Sequence, residues 1–148
     1  MDHIPTYDYR EVMKLSNQLC FPLYAAARKV TALYTPFLTE LNLTYTQYLV
    51  LLVLWEQDGI PVSEICRRLH LDNGTVSPLL KKLEKEGLLE KSRAPEDERV
   101  VLITLTEAGR ALQERAKEIP GKVGSCVRLT PGKALTLYQL LYELLDEE

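Results

Sequence analysis

Histidine and cysteine are scarce in this chain, two and three among 148 residues, and that scarcity removes several chemistries. Cys20, Cys66 and Cys126 stand far apart and form no CxxC pair, while His3 and His70 have no carboxylate or cysteine at ligand spacing. No metal site and no cofactor are therefore expected. A glycine-rich phosphate loop is missing, and no serine sits in a nucleophile motif, so the chain does not read as an enzyme. Long apolar runs are absent as well. The longest, Tyr48 to Trp55, is eight residues, against the roughly 20 that a bilayer crossing needs. Met1 to Arg10 lacks the apolar run of a signal peptide, so the expectation is a cytoplasmic protein with reduced thiols and no membrane partner. An excess of basic charge is lacking too. The net charge is −3, and residues 62–105 hold eight Lys/Arg and eight Asp/Glu, which cancel. Any contact with nucleic acid must come from which face carries which charge.

What is present is one domain's worth of chain, 1–148, with 46% hydrophobic residues, enough for a proper core. Its organising stretch is 62–105. Ser63 reads as the cap of a short helix, Glu64 to His70, with Ile65 and Leu69 inward and Arg67 and Arg68 outward towards phosphate. Asp72-Asn73-Gly74-Thr75 is a helix-start signal. The helix behind it carries Val76, Leu79, Leu80 and Leu83 as one buried stripe. Its other face offers Gly74, Thr75, Ser77, Pro78, Lys81, Lys82 and Lys85 and no acid, and Gly87 ends it. Leu88–Arg93 and Val100–Leu105 read as two strands joined by a polar tip, 94–99. The fold class is mainly α with a small β-hairpin wing, a winged helix-turn-helix. Such a helix enters a DNA major groove and such a tip reaches the adjacent minor groove. The candidate DNA contacts are Asn73, Thr75, Val76, Ser77, Lys81, Lys82 and Arg99; Thr75 or Val76 can meet a thymine methyl. Asp97, two residues before Arg99, orients its guanidinium. A solvated face or a plain surface ion pair is the competing reading of these charges.

The flanks, 10–61 and 106–148, read mainly as dimerisation helices. Residues 1–9 look like a polar, extended arm. Apolar residues recur at three- and four-residue steps from Tyr9 to Leu38, which predicts a helix kinked near Gln18 and Cys20 by Pro22. The alternative is a helix starting around Pro22 with a separate turn before it. After the turn at 41–43, Thr44 or Thr46 caps a core helix that ends at Asp58-Gly59. Thr106 opens a further helix, broken or bent at Pro120-Gly121 and followed by a looser stretch containing Cys126; Thr130-Pro131 starts the last helix. The end helices can bury their stripes against each other or against a second copy of the chain. A dimer places two reading helices in major grooves about 34–36 Å apart.

Leu83-Glu84-Lys85-Glu86-Gly87-Leu88-Leu89, Asp97-Glu98-Arg99 and Leu105-Thr106-Glu107-Ala108-Gly109 together resemble the MarR family of bacterial transcription regulators. Residues 17–24, 43–49, 54–56 and 71–80 are similar to its organic hydroperoxide resistance branch. The resemblance covers essentially the whole chain. It implies a homodimeric repressor that binds a pseudo-palindromic double-stranded operator and takes an organic hydroperoxide as effector. Cys20 would be the sensing thiol and Tyr34 and Tyr45 its hydrogen-bonding phenols; some members carry a second, resolving cysteine late in the chain, a place that Cys126 fits, with an incidental cysteine or resolution by a small thiol as the open alternatives. From the residues themselves, Tyr24 lies one turn along from Cys20. Tyr34 lies about 21 Å further along a continuous helix, so it reaches the sulfur only from a partner subunit or through a broken helix. A phenol hydroxyl can donate to a thiolate and favour the charged form. Cys66 reads as a small packing residue. Three rivals remain: a MarR-type regulator released by a phenolic or other small acid, a thiol peroxidase, and a winged helix used to bind protein.

Overall fold

The structure, a computed structural model, describes residues 8–146. The expected N-terminal arm falls mostly on residues 1–7, outside the described residues. The chain divides into two compact units, 1–117 and 118–148.

The first unit is built on α4 (Tyr45–Glu56). Thr44 caps it with a reciprocal box: its Oγ1 accepts from the Gln47 backbone N–H, and the Gln47 side chain accepts from the Thr44 backbone N–H at 2.8 Å. Gln47, Tyr48, Val50, Leu51, Val53 and Leu54 are all buried, so α4 is covered on nearly every side. Its unbroken apolar run from Tyr48 to Trp55 follows from that position. It runs on from α3 (Thr35–Glu40) through a turn in which Asn42 takes a left-handed φ of 57°.

After α4 the chain forms β1 (Ile60–Pro61), α5 (Val62–Leu69), α6 (Asn73–Lys85), β2 (Leu89–Ala94), β3 (Asp97–Leu105) and α7 (Glu107–Ala116). The three strands make one antiparallel sheet in the order β1-β3-β2. β1 was not anticipated. It is two residues long, and only its pairing of Ile60 with Ile103 and Pro61 with Leu102 defines it. The core gathers Val50, Leu54, Ile60, Ile65, Val76, Leu80, Leu83, Leu89, Ile103 and Leu112, each under 8% exposed.

Several expectations need correction. Ser63 does not cap α5; Pro61 stands at the N-cap, with no side-chain hydrogen bond, and Ser63 lies inside the helix. Proline precedes the first turn because its missing N–H costs nothing there. The N-terminal run is not one kinked helix. It comprises α1 (Tyr9–Val12), a single 3₁₀ turn at Leu15–Asn17, α2 (Cys20–Ala32) and then α3. Pro22 is the third residue of α2, where the unpaired first-turn donors make it harmless. This matches the alternative of a separate turn followed by a helix near Pro22.

The second unit holds α8 (Ile119–Cys126) and α9 (Pro131–Leu145). Pro120-Gly121 do not break a helix. They lie in the first turn of α8, and α7 has already ended at Ala116. Cys126 is the last residue of α8 rather than part of a loose stretch. Thr130 caps α9, accepting from the Lys133 N–H. Neither α2 nor α9 has a buried residue.

Candidate nucleic-acid interface and thiol site

The start of α6 is set by Asp72, whose Oδ1 accepts from the Thr75 N–H at 2.7 Å. Its end is set by Gly87 at φ 74°. The Gly87 N–H bonds the Glu84 carbonyl at 2.9 Å and the Leu88 N–H bonds the Leu83 carbonyl at 3.0 Å, a Schellman closure. Val76, Leu80 and Leu83 face the core. Asn73, Gly74, Thr75, Pro78, Lys81 and Lys82 are exposed and Ser77 is half-buried. Val76 must therefore be removed from the candidate DNA contacts, because it is fully buried at 0% exposure and its methyls cannot meet a base. The stripe that makes α6 amphipathic claims it. Pro78 has no N–H, so the Gly74 carbonyl loses its usual partner one turn on. Gly74 itself brings no side chain between the backbone and a ligand.

The hairpin tip is tighter than expected. Ala94 pairs with Asp97 across Pro95-Glu96. The register slips between Arg93 and Ala94, so that Arg93 pairs with Val101. The slip leaves Glu98, Arg99 and Val100 unmatched on β3, and such a bulge re-aims side chains. Arg99 is 91% exposed at its side chain. Asp97 accepts from the Arg99 backbone N–H at 3.0 Å, from Nε at 3.2 Å and from Nη2 at 3.4 Å. That backbone N–H, and then the guanidinium, holds the Asp97 carboxyl below the usual range. Arg93, which sequence reasoning passed over, donates from Nη1 to the Glu98 carbonyl at 3.1 Å and ties the two sides of the tip.

Arg67 and Arg68 are less available than the sequence suggested. Arg67 holds Glu64 through Nε at 2.9 Å and Nη2 at 2.6 Å. This hydrogen bonding keeps the Glu64 carboxyl low and raises Arg67. Arg68 is only 20% exposed and pairs with Glu56 at 2.5 Å. Sequence reasoning also missed Lys91. A visible signal was there: Lys91 shares the Leu89 face of its strand by period-two alternation and pairs with the buried Ile103.

Cys20 is the first residue of α2 and is exposed, like Phe21, Leu23, Tyr24 and Val30 on the same helix. Tyr24 takes Arg28 over its ring at 5.6 Å. Tyr34 sits at the break between α2 and α3 and packs against Tyr45 with ring centroids 5.0 Å apart and planes tilted by 57°. Tyr48 joins them at 5.8 and 6.5 Å. Burial, and then the neighbouring phenols, push Tyr45 and Tyr48 up, so both remain neutral O–H donors at ordinary pH. Among the described residues, no hydrogen bond within the chain links Cys20 to Tyr24, Tyr34 or Tyr45. Cys126 is exposed, and its Sγ donates to the Lys122 carbonyl at 3.4 Å. Cys66 is half-buried; burial, and then Asp72, raises its thiol, which disfavours the reactive thiolate.

No single described helix is long and apolar enough to cross a membrane. Together α2–α3 and α4 pass that test only as a pair bent by 78°, and the α4 half owes its apolarity to the core.

Comparisons with known proteins agree with this geometry and indicate no catalytic family. A family model described as "Transcriptional regulator SarA/Rot" matches residues 32–116. The organic hydroperoxide resistance transcriptional regulator of Bacillus subtilis is 47% identical over 134 residues, covering 90% of this chain and 91% of that one. The structure is similar to overoxidised AbfR bound to DNA, at TM-score 0.74 and 36% identity over 93% of this chain and 96% of the other; AbfR is from Staphylococcus epidermidis. It is also similar to BpsR of Bordetella bronchiseptica, at TM-score 0.83 and 27% identity over 91% and 98%. A capped reading helix, a bulged arginine wing and these relatives lead to one conclusion: the chain belongs to the MarR family, in its organic hydroperoxide resistance branch, and is a DNA-binding transcription regulator of winged-helix type.

Proposed function

We propose that this regulator is a cytoplasmic homodimer that holds a pseudo-palindromic operator while reduced and releases it when an organic hydroperoxide oxidises Cys20. The observation that carries the reading is the setting of Cys20. The thiol opens a helix with no buried residue, beside exposed Phe21, Leu23 and Tyr24. An apolar surface of that kind calls for a partner, and α9 leaves Leu135, Tyr138, Leu140 and Leu144 equally exposed. In a dimer the sulfur sits at an apolar seam that an alkyl hydroperoxide can enter. Tyr34 and Tyr45 of the partner copy donate to the thiolate there.

The chemistry balances without a cofactor. The Cys20 thiolate attacks the terminal peroxide oxygen, the O–O bond breaks, and the departing alkoxide takes a proton from water to leave as the alcohol. The product is a sulfenic acid. Condensation with Cys126 of the other subunit, or with a small thiol, expels water and forms a disulfide. The new link moves the interface helices, and the two lobes lose the span that fits successive grooves. AbfR is described on DNA both reduced and overoxidised, and separately in a disulfide-formed state. That pattern favours the disulfide as the releasing event. In the reduced state Asn73, Thr75, Ser77, Lys81, Lys82 and Arg99 contact the operator, with Asp97 holding Arg99.

The test is operator binding before and after cumene hydroperoxide. Cys20→Ser should bind DNA and ignore the oxidant; if it still releases DNA, Cys20 is not the sensor. Cys126→Ser should react at Cys20 yet stay on DNA unless a small thiol is supplied. A second reading, release by a small aromatic acid, draws on BpsR, which is described as regulated by 6-hydroxynicotinic acid. Release reversed by dialysis but not by dithiothreitol would favour it.

A further inference from the structure

The geometry points to a seat for one DNA phosphodiester in the cleft between α6 and the hairpin, with Lys91 as its cation and Ser63 and Asn73 as its hydrogen-bond donors. This rests on the DNA-binding reading and adds residues to it. The cleft has a volume of about 410 Å³, and its polar lining is Ser63, Asn73, Ser77, Lys91 and Arg99. Both charged residues are cations, and no carboxylate lines the space.

Lys91 differs from the lysines of α6. Its side chain is 26% exposed and comes up from the inward face of β2, and its Nζ meets Glu84 only at 3.4 Å. Lys91 is ion-paired with Glu84 on one side, its remaining N–H groups are left for a second anion, and the apolar lining of Leu80, Val100 and Val101 lowers the dielectric around it. Ser77 Oγ donates to Asn73 Oδ1 at 3.2 Å. That orients the Asn73 amide and leaves its NH₂ as a donor. The Ser63 hydroxyl has no hydrogen-bond partner among the described residues. Asp97 occupies Nε and Nη2 of Arg99, which leaves Nη1 for an anion. The lining comes from the start of α5, from α6 and from both long strands. A phosphate held there fixes the reading helix and the wing on the duplex together, as backbone contacts do.

The test uses wild-type and variant proteins with a labelled duplex of random sequence, because a backbone contact is indifferent to bases. Affinity is measured across a salt series. Lys91→Gln should bind about tenfold more weakly, with the log–log salt slope shallower by about 0.9 per subunit. Lys91→Arg should restore both. Ser63→Ala should weaken binding by a smaller factor and leave the slope unchanged, since no charge is lost. Ser63→Asp should nearly abolish binding by placing a carboxylate in the seat. Circular dichroism on each variant confirms that the fold is intact. The proposal is overturned if Lys91→Gln and Ser63→Asp, both folded, bind like wild type while Lys82→Gln loses affinity; the DNA reading would survive that result. If wild-type protein itself shows no salt-dependent DNA affinity, the DNA reading and this seat fall together.

Discussion

The winged lobe and the end helices share one chain, yet they treat their apolar residues in opposite ways. In the lobe, Ile65, Val76, Leu80, Leu83, Leu89 and Ile103 are each at most 1% exposed. In α2 and α9, thirteen and fifteen residues long, none is buried. Both regions carry stripes at helical spacing, so the pattern alone does not distinguish them. The lobe closes on itself because a sheet, two helices and α4 meet over one core. Each end helix leaves the same chemistry exposed, among the described residues of its own unit. The lobe is thus a finished reading head, and the end helices, with Cys20 at the start of α2, keep their apolar faces exposed.

Leu83→Ala removes a fully buried side chain and should cost about 2–5 kcal/mol in urea unfolding, whereas Leu140→Ala in the end helix should barely change the unfolding of the lobe. Equal costs would erase the distinction. Phe21→Glu or Leu140→Glu should split the proposed dimer in sedimentation, since truncated or charged anchors cost about 2 kcal/mol or more at an interface. A dimer that persists in both would place the seam elsewhere. Arg99→Ala should weaken DNA binding by about 1–3 kcal/mol without altering dimer mass, and Asp97→Asn should do so less, because only the orientation is lost. The Asp97 effect carries a sign in pH. Its carboxyl is held low in the folded chain, so its hold on Arg99 persists above the usual carboxylate range and is lost as pH falls through the folded value. The smallest effect belongs to the tyrosines. Burial raises Tyr45 and Tyr48. Their neutral forms stabilise the fold below the usual tyrosine value of about 10, and that stability fades as pH rises through the folded values. Phenolate absorbance from these two should therefore appear at higher pH than that of free tyrosine; titration at the free value would mean the cluster is open.

The lobe was legible because its signals are local. Asp72 caps, Gly87 closes and Thr106 caps again, and each uses a side chain or a backbone freedom within a few residues. What stayed hidden depended on distant strands or on neighbours in space. β1 exists only through Ile103. The bulge that frees Arg99 is a mismatch between two strands. The strand face of Lys91 is readable in the sequence, but the cleft it lines exists only where α6 and the hairpin meet. Val76 was assigned two roles by the sequence, since residues on a helix boundary suit either face. The break between α7 and α8 fell before Pro120 rather than at it, because proline within a first turn asks for no donor.

By itself the sequence determined that a capped, lysine-faced helix precedes an arginine-tipped hairpin, because caps, turns and periodic stripes are short-range and each residue's chemistry suffices. Only the tertiary structure decided which apolar stripes are satisfied within the chain and which are left bare around Cys20, since burial belongs to what lies across from a residue, and sequence spacing carries no record of that.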